Sequence, residues 1–561
     1  MSLTVRARRV GSCLLLWLLA GVACQPPVRY DLVVRGGALI DGTGAAARPA
    51  DIGIRGDRIV AIGDLGAVPA GQTINAAGFV VAPGFIDVQG QSGTTLLLDG
   101  HGESHLRQGI TSEVIGEASS PAFWTPETAD ADQLRAFGLT HDWTDLDGYF
   151  RRLEERGIAI NLATLVPATM ARRQVMGLEN RAATAEELAA MEAFVDQAMR
   201  AGAVGLSSAL IYPPGSFAST EELIALARVA ARHRGIYATH IRGESFNLFE
   251  ALDEAFLIGR EAAVPVVIFH LKVAAQRNWG RMGEVLAKFR EADTAGQRVS
   301  ATMYPYTAGG TGLAAALPLW VQEGGREAMM ARLADPGVRT RARAEIETTI
   351  DGWENLILAS TFEGIQVASV PRESDGSVVG KRIAEVARER GEDPWDTFFG
   401  LLLSTGGRVG ALYHMMSEED VAAGLRLASV SIGTDAAALR AEGALAQGQP
   451  HPRAYGTFPR VLGKYVREDG VLHLEEAIRR MTSVAATQFG LVRRGIVREG
   501  YFADLVVFDP ATVADRATFE RPHQYPVGIH HVIVNGVPVL TPEGLTGARP
   551  GRGLYGRGRG R

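Results

Sequence analysis

Two histidines and an aspartate each stand at the end of a short apolar stretch. His240 lies near the end of the stretch 237–242, His270 near the end of 267–272, and Asp435 ends 431–435. Imidazole nitrogens and carboxylate oxygens are common metal ligands. The histidines are thirty positions apart, about one strand-helix unit of a (β/α)8 barrel, so both would emerge at the rim where such barrels carry their chemistry. The spacing predicts a site that binds or uses a metal at that rim.

Apolar strands that alternate with helical stretches must position these residues. Eight candidate strands begin near Phe85, Ser112, Ile160, Val204, Ile236, Val264, Val299 and Leu427. Such alternation predicts a parallel sheet, and eight repeats predict closure into an α/β barrel over residues 83–485. A doubly wound open sheet is the alternative, but no glycine-rich phosphate loop follows the first strand. The long interval before the eighth strand predicts an inserted cap at about 307–370.

Both ends of the chain are rich in β-type residues. Segments 28–82 and 486–545 carry alternating apolar runs, and Asn535-Gly536 is a hairpin turn signal. Each segment can bury a face only by pairing, so we predict one small β-sandwich formed by both ends of the chain. The last residues, 546–561, are dominated by glycine and arginine, a composition that predicts disorder.

Residues 1–24 have the layout of an export signal, with a basic start, a short apolar stretch and small residues. The stretch is too short to span a bilayer. Because it ends on Cys24, it resembles a bacterial lipoprotein signal with Cys24 as the lipidated first mature residue; cleavage near Ala23 as an ordinary signal is the alternative. We expect an exported protein, periplasmic or anchored to the membrane. Both cysteines lie in this segment, so the mature chain has no internal disulfide.

Composition narrows the partners. Hydrophobic residues make up 46% of the chain, charged residues 21%, and the net charge is −6. These values are ordinary for a globular protein and offer no basic field to attract nucleic acid. We therefore expect a small-molecule partner, with membrane contact only through a possible lipid anchor.

Several longer motifs resemble the N-acyl-D-amino-acid deacylases (D-aminoacylases) of the amidohydrolase superfamily, from about residue 31 to 540. They are residues 81–87, 206–215, 238–242, 270–272, 278–281, 304–309 and 451–460. The resemblance implies a zinc-dependent (β/α)8 barrel beside a small β-sandwich. It also implies hydrolysis of a linear amide, which converts an N-acyl-D-amino acid to a carboxylate and a free D-amino acid.

In this superfamily strand one carries a His-x-His pair, strands five and six carry single histidines, and strand eight carries an aspartate. The resemblance assigns the last three positions to His240, His270 and Asp435. Strand one departs from the pattern, because Gln89 and Gln91 replace the pair. An amide is a weak ligand compared with imidazole, so one metal site should be lost. We expect about one zinc ion per chain.

The family's third ligand, a cysteine at the end of strand two, is also replaced. A direct overlay sets Ala118 against it, with Glu117 one position earlier. Carboxylate can substitute for thiolate on zinc. Neighbouring strand residues point opposite ways, so Glu117 reaches the metal only if the strand has already ended. We predict that it is the third ligand; the alternative is a solvated or ion-paired carboxylate.

The resemblance also implies roles for other residues. Asp435 is the general acid and base that exchanges a proton with metal-activated water and the leaving amine, although it could instead cap the following helix. Binding of the substrate's carboxylate and polarised carbonyl is assigned to Lys272, Tyr212, Tyr304 and Arg453. Each of these could otherwise be a packing or surface residue. Structural or loop roles are expected for His101, His105, His414 and His451.

Two other functions remain open on the sequence. The first is hydrolysis of another amide, such as a cyclic imide, a dipeptide or a cell-wall fragment. The second is a non-catalytic binding protein on the same barrel, which the two glutamines and the missing cysteine suggest. The joint presence of His240, His270 and Asp435 argues against the second.

Overall fold

The computed structural model describes residues 30–125, 128, 134–135 and 138–559. The predicted signal over residues 1–24, with both cysteines, lies outside these residues. Within the described ranges no helix is long and apolar enough to cross a membrane.

The first described segment is a β-sheet. Its strands are β1 (Tyr30–Leu39), β2 (Arg48–Arg55), β3 (Arg58–Gly63), β4 (Ala70–Asn75) and β5 (Val80–Pro83). Strand β1 pairs antiparallel with β2 on one side and parallel with β4 and then β5 on the other. Alternate residues such as Leu32, Val34, Ile52 and Ile54 are buried in one apolar cluster. Because successive side chains of a strand point to opposite faces, the alternating apolar residues of the sequence form the inner face of the sheet.

Seven of the barrel's strands follow, with helices between them. They are β6 (Phe85–Asp87), β7 (Ile110–Ile115), β8 (Asn161–Thr164) continued by β9 (Val166–Pro167), β10 (Gly205–Ala209), β11 (Ile236–His240), β12 (Val266–Ile268) and β13 (Val299–Met303). Neighbouring strands pair in parallel. Their inward side chains, among them Ile86, Val114, Ala238 and Val267, fill the barrel interior.

An insertion separates the seventh strand from the eighth. It contains an antiparallel sheet in the order β14-β16-β15, from β14 (Ala308–Gly312), β15 (Ile365–Ser369) and β16 (Gly410–His414). The insertion has its own apolar core, which includes Leu313, Phe398 and Tyr413. It therefore extends well beyond residue 370, the end expected from the sequence, because the strand that joins β14 to β15 comes about forty residues later.

The eighth strand closes the barrel. Strand β17 (Val430–Ile432) pairs in parallel with β13. Beyond its end, a parallel bridge joins Ala436 to Gly90, just after the first strand. The predicted (β/α)8 barrel is confirmed, with each strand close to its expected start.

The α-helices flank the barrel and build the insertion. Their bounds are α1 (Thr95–Leu98), α2 (Glu103–Leu106), α3 (Leu146–Arg156), α4 (Ala168–Met176), α5 (Ala185–Ala201), α6 (Thr220–Arg232), α7 (Leu248–Glu261), α8 (Met282–Thr294), α9 (Leu319–Gln322), α10 (Gly325–Leu333), α11 (Pro336–Thr348), α12 (Leu356–Gly364), α13 (Ile383–Arg390), α14 (Pro394–Ser404), α15 (Glu418–Gly424), α16 (Arg453–Arg460), α17 (Leu474–Arg479) and α18 (Ala485–Gln488). Two π-helical segments, Val461–Glu468 and Arg480–Val484, extend α16 and α17. Local sequence determines where helix α5 begins, because the Thr184 and Glu187 side chains form a capping box at its start.

The end of the chain returns to the first sheet. Strands β18 (Leu505–Phe508), β19 (Ile529–Val534), β20 (Val537–Thr541) and β21 (Gly544–Leu545) follow one another antiparallel. Strand β18 pairs with β5, so both ends of the chain share one nine-stranded sheet. The β-sandwich domain predicted from both ends is thus present.

Residues 551–559 differ from the predicted disorder. They run along the outside of the barrel, and the Tyr555 ring packs on Phe150 with centroids 5.1 Å apart. Gly553 and Gly556 lie so close to Phe150 and the Ala203 carbonyl that a side chain would collide. The glycines that suggested disorder allow this close packing. Backbone hydrogen bonds hold the segment, from Gly551 N to Ile158 O (2.8 Å), Leu554 N to Leu162 O (2.7 Å) and Gly556 N to Gly202 O (2.7 Å).

Candidate active site

Glu117 reaches the barrel mouth because its strand has already ended. Strand β7 stops at Ile115, and Gly116 takes a φ of +102°, a left-handed conformation that favours glycine. A Cβ on Gly116 would lie 2.6 Å from the Leu165 carbonyl oxygen. The turn at Gly116 directs the Glu117 side chain towards the site. The strand has thus ended before Glu117, which was the condition for Glu117 to reach a metal.

Three predicted ligands converge at the mouth. Glu117 Oε1 lies 3.1 Å from His240 Nδ1 and 3.1 Å from His270 Nε2. His240 is the last residue of β11, and His270 follows β12 by two positions with a φ of +35°. All three residues are buried, and together they form a cluster that could hold a metal ion.

Gln89 and Gln91 take part in this cluster through its carboxylate. The Nε2 atoms of Gln89 and Gln91 donate to Glu117 Oε2 at 2.9 and 3.1 Å. The carbonyl end of Gln89 accepts from the His270 backbone N at 3.1 Å and from Thr302 Oγ1 at 2.5 Å. The strand-one glutamines, whose role the sequence left open, therefore orient Glu117 and the His270 backbone.

Glu244 is a site residue that sequence reasoning missed. Its Oε1 lies 2.9 Å from His270 Nδ1 and 2.6 Å from Lys272 Nζ, which is itself 2.7 Å from His270 Nδ1. A carboxylate on the far nitrogen of a metal-binding histidine fixes its ring orientation. The sequence feature that could have identified Glu244 was its position, four residues after His240 in the loop that follows β11.

The electrostatics of the cluster follow from its charges. Burial alone would raise the pKa of Glu117, but the two imidazoles hold it well below its usual range. Burial and Lys272 lower the pKa of His270, yet Glu244 and Glu117 raise it to about 9. A metal ion bound by these residues would therefore compete with a proton for His270.

Asp435 lies across the mouth from these ligands. Its Oδ2 is 2.7 Å from Arg453 Nη1, and its Oδ1 accepts from Gln91 Nε2 at 3.4 Å. The backbone N of Asp435 donates to Gln89 O at 2.7 Å, which ties the ends of strands eight and one together. Burial raises the pKa of Asp435, and Arg453 partly offsets this rise. No helix begins directly after Asp435, so the capping alternative does not apply.

The remaining predicted site residues surround the same space. The Tyr304 hydroxyl is buried and forms no hydrogen bond with the described residues. The Arg453 guanidinium lies over the Tyr304 ring, 4.6 Å from its centroid. The Tyr212 hydroxyl donates to Thr311 Oγ1 of the insertion at 2.9 Å. Tyr212 therefore joins the barrel mouth to the inserted cap.

These residues line one cavity of about 270 Å³ between the barrel mouth and the insertion. Its charged lining residues are Glu117, Glu244, Asp435, Lys272 and Arg453, and its apolar lining includes the side chains Ile211, Leu356, Tyr413 and Met415. Every site residue predicted from the sequence lines this space.

The ligand cluster fits a divalent ion. Atoms 3.1 Å apart can both lie about 2.0–2.2 Å from one zinc ion, the usual length of its bonds to nitrogen and oxygen. Two imidazoles and one carboxylate form the ligand set of zinc hydrolases that keep one coordination position open. The arrangement can therefore support hydrolysis, with Asp435 in a position to move protons.

Comparisons with known proteins agree with this site. Residues 72–540 match the sequence profile of the amidohydrolase family. The chain is 40% identical over 528 residues to a D-aminoacylase of Alcaligenes xylosoxydans xylosoxydans, a match that covers 94% of this chain and 97% of the relative.

Two crystal structures extend the similarity to the fold. One is an N-acyl-D-glutamate deacylase from Bordetella bronchiseptica in complex with zinc and a phosphonate inhibitor (TM-score 0.79, 35% identity, 94% of this chain and 100% of that one). The other is a D-aminoacylase described by one-metal activation and second-metal attenuation (TM-score 0.77, 38% identity, 94% and 100% coverage). The chain belongs to the amidohydrolase family, among the N-acyl-D-amino-acid deacylases.

Proposed function

We propose that this chain deacylates N-acyl-D-amino acids with one zinc ion held by Glu117, His240 and His270. The products are a carboxylate and a free D-amino acid. The observation that carries the proposal is the single cavity in which this ligand cluster faces Asp435 and Arg453. The activities of the related deacylases support the same reaction class.

The proposed metal supplies one part of the chemistry. When bound, zinc lowers the pKa of water and polarises the carbonyl of the scissile amide. The count of one ion is supported by Gln89 and Gln91, whose amide groups donate to Glu117 and leave no imidazole on strand one. A related D-aminoacylase is described as having a binuclear metal center with one-metal activation and second-metal attenuation, and the ion proposed for this chain corresponds to the activating metal.

Asp435 is the proposed proton carrier. Arg453 and Gln91 hold its two carboxylate oxygens, so the side chain has a defined orientation towards the ligand cluster. Asp435 accepts a proton as water attacks the carbonyl carbon and a tetrahedral centre forms. It then delivers the proton to the amide nitrogen, and the C–N bond breaks.

Charge in the cavity favours an anionic substrate. The lining residues carry three carboxylates and two cations, which gives a net charge of −1 with neutral histidines. A bound divalent ion changes this to +1, so the loaded site attracts an acylated amino acid through its α-carboxylate. Arg453 suits that carboxylate because its planar group can form two parallel hydrogen bonds.

Tyr304 is the proposed donor to the developing oxyanion. Its hydroxyl is buried beside the site without a partner among the described residues. Burial raises the pKa of Tyr304, and the nearby cations Lys272 and Arg453 oppose the rise. A preorganised hydroxyl of this kind stabilises negative charge at a carbonyl oxygen most strongly where water is excluded.

The test is amino-acid release by the purified, zinc-supplied protein. The substrates are the N-acetyl derivatives of methionine, leucine and glutamate in D and L forms, with a cyclic imide and a dipeptide alongside. We expect turnover of the D forms to exceed that of the L forms by about a hundredfold or more. Hydrolysis of only the imide or the dipeptide would make the protein a different amidase, and binding without turnover would make it a binding protein.

We also propose that the protein is exported and lipidated at Cys24. The support is the layout of residues 1–24, a basic start and an apolar stretch that ends on cysteine. Mass spectrometry of the mature N-terminus after cell fractionation tests this. A diacylglyceryl group on Cys24 in the membrane fraction is expected, and an unprocessed chain in the cytoplasm would contradict export.

A further inference from the structure

A second group of potential ligands lies behind the first two barrel strands. Asp87 ends β6, Glu113 is on β7, and His105 is on the short helix α2, and their side chains are 0% exposed. We call these three residues the Asp87 cluster. Their strand neighbours Ile86 and Val114 point into the barrel interior, so Asp87 and Glu113 point away from it. None of the three lines the active-site cavity.

The three side chains approach one another without forming hydrogen bonds. His105 Nε2 lies 3.3 Å from Asp87 Oδ2 and 3.8 Å from Glu113 Oε2. Neither ring nitrogen of His105 has a hydrogen-bond partner among the described residues, and neither does Glu113 Oε2. Buried polar atoms are nearly always satisfied, so the two unpartnered atoms that face each other, His105 Nε2 and Glu113 Oε2, indicate a missing partner.

Both carboxylates of the cluster also accept hydrogen bonds from neighbouring residues. Asp87 Oδ1 accepts from the backbone N of Gln89 at 3.1 Å and of Thr434 at 2.9 Å, and Thr434 Oγ1 donates to Oδ2 at 2.5 Å. Glu113 Oε1 accepts from Ser92 N at 2.9 Å. These donors fix both carboxylates with their remaining lone pairs directed towards His105.

The charge of the cluster also requires compensation. When both carboxylates are ionised they carry two negative charges, of which a single imidazole can neutralise at most one. Without a further cation, burial raises the pKa of Glu113 to about 7. Burying an uncompensated charge is strongly unfavourable. Among the described residues, no lysine or arginine forms an ion pair with Asp87 or Glu113.

We propose that Asp87, His105 and Glu113 bind a second divalent cation, of the zinc, manganese or iron(II) class. Nitrogen and oxygen ligands suit these ions. Separations of 3.3 and 3.8 Å are those of ligand atoms about 2.0–2.2 Å from one ion. Two carboxylates and a neutral imidazole balance its charge.

The ion at the Asp87 cluster is structural. It has no opening to the active-site cavity, whereas a catalytic ion must keep a position for water or substrate. It ties α2 to the first two strands. Through Asp87 and Glu113 it also braces Thr434, which precedes Asp435, and Ser92, which follows Gln91. The site is independent of the proposed reaction and of the metal at Glu117.

Anomalous diffraction at the zinc, manganese and iron edges tests the proposal on crystals of the full chain. The metals must be supplied during expression, because a site without solvent access is filled as the chain folds. The expected result is a peak between Asp87, His105 and Glu113, distinct from any peak at Glu117. A filled Glu117 site with no density at the Asp87 cluster would overturn the proposal.

Metal content of variants gives a second measurement. Glu113→Gln should lose one of two metal equivalents while keeping the ion at Glu117, which also reports that the variant has folded. The matched control is Glu103→Gln, on the same helix as His105 but paired with Arg107, and it should keep both. If Glu113→Gln keeps both equivalents, the assignment is wrong. Absence of deacylase activity in the wild-type protein, with both ions present, would count only against the proposed function.

Discussion

At the level of single residues, the Glu117 carboxylate connects the two histidines of the site to the two glutamines of strand one. One carboxylate oxygen faces His240 and His270, and the other accepts from Gln89 and Gln91. A carboxylate can serve both sides because it has about four lone-pair positions on two oxygens. The glutamines on strand one therefore orient Glu117, the proposed ligand, and their amide groups are not part of the proposed ligand set.

Asp435→Asn should abolish turnover while the protein keeps its metal. The amide cannot accept the proton from water, so we expect kcat to fall by about a thousandfold. Steady-state kinetics and metal analysis on the same sample measure both effects. Asp509→Asn, outside the cavity, is the control and should behave like the wild type. Wild-type kcat in Asp435→Asn would refute its role as base.

The sequence allowed prediction of those site residues that end a barrel strand or follow one closely. His240, His270 and Asp435 are of this kind, because strand order fixes where each emerges. Glu244 was missed because its role depends on a loop that folds back beside Lys272, and no period in the sequence records such a contact. The role of the glutamines stayed open for the same reason.

At the level of secondary-structure elements, the position at which strand β7 ends determines whether Glu117 can face the histidines. A regular strand through residue 117 would alternate its side chains and turn Glu117 away from the histidines. Gly116, with a φ of +102°, ends the strand one residue earlier. One backbone conformation thus determines the direction of a ligand.

Gly116→Ala should weaken metal binding at the mouth and destabilise the protein. The new Cβ would lie 2.6 Å from Leu165 O in a strained conformation, which we expect to cost about 1–3 kcal/mol. Calorimetric zinc titration and thermal unfolding measure the two effects. Gly78→Ala is the matched control, because Gly78 also has a positive φ, +85°, but no atom within 4 Å of the added Cβ. Equal zinc affinity in the two variants would contradict this reasoning.

The insertion shows where element prediction reaches its limit. Its helices could be expected from their pattern, but β16 pairs with β14 across about a hundred residues of chain. Strand pairing over that distance is fixed by packing in the second apolar core and not by local propensity. The expected end at residue 370 was therefore too early.

Contacts between distant parts of the chain complete the fold at the level of the whole molecule. Strand β5 pairs with β18, and the segment 551–559 lies along the barrel. Pairing of the two ends could be predicted, because each β-rich segment needs a partner. Packing of the tail could not, because its glycines are typical both of disorder and of close backbone approach.

Removal of residues 551–561 should lower the melting temperature by about 2–4 °C. The truncated chain loses backbone hydrogen bonds to the barrel and the Tyr555–Phe150 contact, together worth a few kcal/mol. Differential scanning calorimetry measures the shift. Removal of residues 560–561 alone is the control and should leave the melting temperature unchanged. An unchanged value in the longer deletion would mean that the segment contributes no stability.

Metal content and D-amino-acid release in Glu117→Gln test the central claim most directly. The variant keeps the size of the side chain but loses the negative charge that faces His240 and His270. We predict that it loses one zinc equivalent and at least about a thousandfold in kcat/KM on the preferred N-acyl-D-amino acid, relative to the wild type and to the exposed control Glu179→Gln. A variant that keeps both its zinc and its activity would contradict the account.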